Sequence, residues 1–168
     1  AAAALVLYRF QGWDPIFLAA FTAALAEAEA DTFASSFGLM SDKPPRSIMT
    51  GTIVPPGISG GVTLLGSMAG LAGAFLVALL GSSTFMLGFS GFAVAMISGF
   101  AGCIFDSVLG AVIQVQYRAH DGRLTEKSEI DGKKLERVRG IPFIDNDAVN
   151  LLSGLFSASL ALLFMQIA

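Results

Sequence analysis

Residues 27–66, EAEADTFASSFGLMSDKPPRSIMTGTIVPPGISGGVTLLG, place three acids inside an otherwise apolar helical run, followed by a short basic loop and a Pro-Pro-Gly turn into a glycine-rich helix start. Charged groups at membrane depth cost free energy, so Glu27, Glu29 and Asp31 read as a site rather than as stabilising residues. That depth is set by composition. Of 168 residues 54% are apolar and 14% charged, against roughly 25% charged in an ordinary soluble domain, and the mean hydropathy is +0.71. The chain reads as an all-α, polytopic integral membrane bundle. The net charge of -3 gives no reason to expect nucleic acid as a partner. With one cysteine, Cys103, and one histidine there is no internal disulfide and no Cys/His metal cluster.

Outward from that stretch, residues 1–10 are too short to span a bilayer, which takes about 20 helical residues, and read as the tail of an upstream helix. Residues 11–15 form a turn with Trp13 as an interface anchor, Asp14 as N-cap and Pro15 in the first helical position. Spans follow over about 16–37 and 59–80, with a tight connection at 81–84. Residues 85–117 are apolar for longer than one crossing needs, so they form either one tilted helix or two pieces broken near Gly99 and Gly102. Residues 118–147 read as a solvated loop in which seven Lys/Arg balance seven acids, and 147–167 as the last span. Gly66, Gly70 and Gly73 form a small-residue stripe that reads as close helix packing in preference to a ligand site.

If 85–117 crosses once, loops 38–57 and 118–147 share a side holding nine basic residues, against Arg9 alone on the other. That asymmetry makes the shared side cytosolic, or its topological equivalent. Asp31 then lies about 9 Å below the cytosolic helix end and Asp106 roughly 16 Å below Tyr117. The glycine-rich start at 57–63 and Asn150 sit at the same surface. Carboxylates beside backbone N–H groups at such a helix start suit Mg²⁺-bound phosphates, with Ser59 and Thr63 offering hydroxyls. A glycine cluster of this kind is also a common loop-to-helix entry. No Walker A, GxSxG or HExxH pattern occurs, so soluble NTPase, hydrolase and zinc-protease readings have no support.

ADTFASSFG at 30–38, PPR at 44–46, VPPGISGGVTLLG at 54–66, FDSVLGAVIQ at 105–114 and GIPFIDNDAVNLLS at 140–153 together resemble the transmembrane protein 19 / phytyl-phosphate kinase family, in family order and over nearly the whole chain. The resemblance implies a fold distantly similar to dolichol kinase and membrane cytidylyltransferases. It also implies a nucleotide-dependent kinase that phosphorylates an isoprenoid monophosphate to the diphosphate at the cytosolic membrane face. The implied cofactors are Mg²⁺ and CTP or another nucleoside triphosphate. The implied partners are an isoprenoid phosphate lipid, the nucleotide and the bilayer, with a homo-oligomer left open.

Carried over onto this chain, Asp31 and Asp106 are the catalytic and metal-binding acids. Gly57, Gly60 and Gly61 would hold phosphate, and Asn146 and Asn150 would orient substrate or ligands. Where the family reads Ala-Ser-Glu this chain has Ala34, Ser35 and Ser36, and Glu27, one turn before Asp31, is the acid that would replace the missing metal ligand. Lys43 and Arg46 are either topology determinants or triphosphate contacts, and Arg137 and Arg139 are weaker candidates for the same contact. Asp106 reads alternatively as a packing acid paired with Gln114 or Ser107. A functional alternative of another class is a lipid-phosphate carrier or scramblase that uses the same acids for cation coupling.

Cysteine accessibility labelling should place Thr125 and Ser83 on opposite sides of the membrane, with Thr125 cytosolic. Labelling of both from one side would mean that 85–117 does not cross once.

Overall fold

The computed structural model describes residues 14–167. The expectations for residues 1–13, the upstream helix tail and the Trp13 anchor, lie outside them. Four helices run up and down: α1 (Pro15–Gly38), α2 (Leu64–Phe85), α3 (Gly88–Val112) and α4 (Asn146–Met165). Three of them, α2 to α4, are long and apolar enough to cross a membrane. α1 has 24 residues, about 36 Å of helix, so length suffices and only its three acids set it apart.

α1 starts where the sequence places it, with Asp14 accepting a hydrogen bond from Ile16 N at 3.0 Å and Pro15 behind it. It packs against all three other helices, while α2 and α4 each pack against α1 and α3. Small side chains permit this. Ala19, Ala20, Ala23, Ala26 and Ala30 of α1 are fully buried. The glycine stripe of α2 answers them: a Cβ on Gly66 would fall 2.6 Å from the Ala34 carbonyl oxygen, and one on Gly70 3.0 Å from that of Ala30. The stripe is a packing seam, because between helices in lipid close backbone approach supplies van der Waals contact that the hydrophobic effect does not.

Three boundaries differ from the sequence reading. α2 begins at Leu64 rather than 59, because Thr63 is its N-cap and accepts from Gly66 N at 3.0 Å. It also continues through 81–84 to Phe85, where Gly81 lies against Thr22 and Phe85 packs on Phe21, so the reversal falls at Met86, in the left-handed region. α3 is one unbroken helix. Gly99 and Gly102 serve contact with α1 instead of a kink, since a Cβ on Gly99 would lie 2.6 Å from Ala26 Cβ. α3 ends at Val112, not near 117, as Gln116–Arg118 turn into a strand.

The expected solvated connector at 118–147 is mostly exposed, and short β strands organise part of it. β3 (Gln116–Arg118) lies between β4 (Leu124–Thr125) and β7 (Glu136–Arg139), all antiparallel, with β5 (Glu129–Ile130) and β6 (Lys133–Lys134) forming a separate hairpin. The first polar loop is pinned by β1 (Arg46–Ser47) pairing with β2 (Gly61–Val62). Both polar loops cap the same end of the bundle: Gly60 packs onto Ala111 at the end of α3, and Ser59 Oγ donates to Glu126.

Gly66→Val should lower thermal stability in detergent by about 1–3 kcal/mol through overpacking. Leu71→Val, on the lipid-exposed side of the same helix, should change it far less.

Candidate functional site

A cavity of about 820 Å³ lies at the capped end, between α1, the start of α2, the second half of α3 and the two polar loops. Of the residues singled out from sequence, Asp31, Lys43, Gly57, Ser59, Gly60, Gly61, Thr63, Asp106 and Asn146 line it. Residues from loops, three helices and the start of α4 thus meet in one chamber. Helix spacing brings Asp31 and Ser35 to the wall, with Ser35 Oγ donating to the Asp31 carbonyl at 2.8 Å.

Asp106 is held from behind by α4. Ser153 Oγ lies 3.1 Å from Asp106 Oδ2 and donates to Glu27 Oε1 at 2.8 Å. The Asn150 amide, turned so that its nitrogen faces the carboxylate, donates from Nδ2 to Asp106 Oδ2 at 3.0 Å, while its oxygen accepts from Asn146 Nδ2 at 3.2 Å. A hydroxyl has one proton to give, and Glu27 takes the shortest contact. Glu27 is only 3% exposed. A buried carboxyl without a partner is costly, so Ser153 satisfies an acid that no cationic side chain reaches among the described residues.

Several expectations are therefore corrected. Glu27 does not stand at the cavity wall in place of the missing family acid; it lies behind the wall, against Ser153 and beside Gly102, whose missing side chain makes room for it. Asn150 reaches Asp106 rather than the chamber. Arg46 does not line the cavity, since its guanidinium is spent on the Gly51 carbonyl at 2.7 Å. Arg139 is structural too, donating to Gln116 Oε1 and the Ala111 carbonyl at 2.9 Å each. Asp106 pairs with neither Gln114 nor Ser107. Gly60 sits at positive φ and against α3, so packing alone requires a glycine there, whereas Gly57 at φ 80° faces open space.

Two kinds of residue at the site escaped the sequence reading, one behind the cavity wall and one on it. Ser153 carried a legible signal, because Asn146, Asn150, Ser153 and Ser157 recur at helical spacing on one face of α4. Glu126 and Asp42 carried none; each is one acid among many in a polar loop, and only the folded loops bring them to the cavity.

The chamber holds four acids, Asp31, Asp42, Asp106 and Glu126, against one base, Lys43. A free polyanion would be repelled, whereas one carrying divalent cations would not. All the side-chain donors at the polar end except Lys43 and the Cys103 thiol offer oxygen or amide groups, the chemistry hard cations take. Among the described residues no three Asp, Glu, His or Cys converge on one point. An all-protein cage does not fit, but a cation held by one or two carboxylates and completed by ligand phosphate and water does.

The family described as integral membrane protein DUF92 matches residues 1–158. Protein PGR of Arabidopsis thaliana is 31% identical over 149 residues, covering 77% of this chain and 48% of its own length. An uncharacterized membrane protein of Methanocaldococcus jannaschii is 35% identical over 103 residues, covering 58% of this chain and 40% of its own. A third, from Synechocystis, is 29% identical over 102 residues. The chain thus spans less than half the length of these curated relatives. No solved structure matches it.

Replacing Ser153 by Val should destabilise the protein by about 1–3 kcal/mol, because Glu27 loses its hydroxyl partner. Ser159→Ala should leave the detergent melting temperature nearly unchanged, since that hydroxyl bonds only the Leu155 carbonyl of its own helix.

Proposed function

The chain belongs to the DUF92 family of integral membrane proteins, and on that premise we propose that it is a phosphotransferase of the phytyl-phosphate kinase type. It converts an isoprenoid monophosphate to the diphosphate at the cytosolic membrane face, with CTP or another nucleoside triphosphate as donor. The observation that carries this reading is the convergence of Asp31, Asp106, Lys43 and the 57–63 turn on one chamber that extends from the polar loops to membrane depth. Phosphoryl transfer asks the protein mainly to position groups and neutralise charge, which is what this donor set offers.

An oxygen of the lipid phosphate attacks the γ-phosphorus as the bond to the β-phosphate oxygen breaks, and nucleoside diphosphate leaves. The lipid phosphate is itself the nucleophile, so the chamber needs no strong base. Lys43 approaches the triphosphate from the loop side. Asp31 and Asp106 would hold Mg²⁺, which when bound supplies charge neutralisation on the phosphates. Asn150 fixes the Asp106 carboxylate in its orientation from behind. Ser59, Thr63 and the turn at Gly57 offer hydroxyls and backbone to the phosphate oxygens.

The assay uses the full-length protein in detergent with Mg²⁺, labelled CTP and geranylgeranyl or phytyl monophosphate. Lipid diphosphate should form. Asp31→Asn and Asp106→Asn should each lower its rate by about a hundredfold or more, the scale seen on losing one charge-stabilising group. Glu29→Gln should do little, because Glu29 is not at the cavity wall. Nucleotide-free movement of lipid phosphate across liposomes, with no diphosphate from any triphosphate, would replace the kinase by a carrier.

A further inference from the structure

A second cavity, of about 400 Å³, lies between the two polar loops and is lined by Pro55, Pro56, Ile58, Gly122, Arg123 and Leu124. Pro56 and Ile58 also line the acidic chamber, so one turn of the chain is wall to both. Between them Gly57 sits at φ 80°, and a Cβ there would meet nothing within 4 Å. The partition thus carries no side chain at Gly57, where a ligand reaching from one cavity into the other meets bare backbone.

Both sides of this cleft are braced. Pro55 and Pro56 have φ fixed by their rings. Opposite them the turn between β3 and β4 is closed by Gly122 N and Ala119 N, which donate to the Ala119 and Arg123 carbonyls at 2.9 and 2.8 Å. Ser59, the residue after Ile58, donates to Glu126 and so ties one loop to the other beside the cleft. A cleft held in this way is preformed, and little ordering cost falls on its ligand.

Its chemistry differs from that of the chamber. Where the chamber sets four carboxylates against Lys43, the cleft has proline, isoleucine and leucine side chains and one cation, Arg123. Arg123 Nε lies 3.5 Å from Asp121 Oδ2, with the two side chains 86% and 58% exposed, and an ion pair so exposed holds the guanidinium only weakly. That contact uses Nε and leaves the two terminal nitrogens of the planar fork for a ligand.

We infer that the cleft between the polar loops holds the nucleobase of the triphosphate donor, with Arg123 at the edge of the base and the phosphates crossing at Gly57 into the chamber. This rests on the phosphotransferase reading for the identity of the chamber's ligand. A nucleoside triphosphate is a flat ring with apolar faces joined to a polyanion, and the two cavities offer those two chemistries on either side of one turn. The guanidinium is a donor only, so it matches a base edge that presents two neighbouring acceptors. Cytosine has such an edge in O2 and N3, and guanine in O6 and N7. Uracil places an N–H between its carbonyls, and adenine sets its amino group beside N1 and N7. The cleft therefore selects CTP and GTP over UTP and ATP.

The test measures equilibrium binding of the four labelled nucleoside triphosphates, with Mg²⁺, to the full-length protein in detergent. CTP and GTP should bind about fivefold or more tightly than UTP and ATP, the lower end of what a bidentate arginine contact discriminates between bases, and Arg123→Gln should erase that preference. Leu124→Trp, which fills the cleft, should weaken CTP by about tenfold, the scale of a ring face returned to water, while inorganic tripolyphosphate, having no base, binds as before. Both side chains are exposed, so both variants should fold. Equal affinity for the four nucleotides, CTP binding untouched by Leu124→Trp, or equal losses for CTP and tripolyphosphate would overturn the cleft. CTP bound in the expected pattern without any lipid diphosphate formed would keep the cleft and remove the kinase reading. Diphosphate formed from CTP with a KM that neither variant changes would do the reverse.

Discussion

A helix bearing three carboxylates can lie at membrane depth only if other helices cover what lipid cannot solvate, and the bundle is arranged around that constraint on α1. Covering it requires neighbours on several sides at once. The alanines of α1 and the glycines of α2 and α3 let the backbones come close enough to do so. Each acid meets a different fate as a result. Glu27 turns toward α4 and is satisfied by Ser153, Asp31 faces the cavity, and Glu29 keeps a half-buried place beside α2.

The same packing explains why there is a chamber. Near the capped end the α1–α2 contact stays tight through Gly66, while a cavity is left between α1, the start of α2, the second half of α3 and the polar loops. The resulting space is roofed by two short β assemblies that touch through Ser59 and Glu126. Strand pairing is a sensible solution here, because a loop at a membrane surface still has backbone N–H and C=O groups to satisfy. β1 and β2 hold the Pro-rich turn over the cavity, and β3 ties the end of α3 to β7. The roof is therefore fixed to the helices that carry the acids.

Polar residues in the bundle divide by whether they serve the chamber or the helices. Asp106 does both, since it lines the cavity while Asn150 donates to it from α4. Ser157 serves packing only, donating to the Ala23 carbonyl at 2.9 Å. Arg139 and Gln116 brace the junction between α3 and the sheet. The basic residues that look from sequence like triphosphate contacts thus reduce to Lys43, because Arg46 and Arg139 have backbone or amide partners within their own structures and Arg137, which donates to the Gly140 carbonyl at 3.5 Å, does not line the cavity.

By itself the sequence determined that the chain is a helical membrane protein, because hydropathy and span length leave few alternatives. It also determined that Asp31, Asp106 and the 57–63 turn share one end of the bundle, because helix rise and alternating direction fix depth and side. Local chemistry gave the Asp14 cap, and spacing identified the glycine stripe. Only the tertiary structure decided what each polar residue faces. Glu27 and Asp31 share a helix face by periodicity, yet the neighbours of that face differ, so one acid is buried against α4 and the other reaches the cavity. The continuity of α3 through Gly99 and Gly102 was likewise a matter of partners, since a glycine pair breaks or packs a helix according to what lies opposite. Glu126 joined the chamber wall through strand pairing in a loop whose composition reads as solvated, and no one-dimensional pattern records which side of a folded loop an acid will occupy.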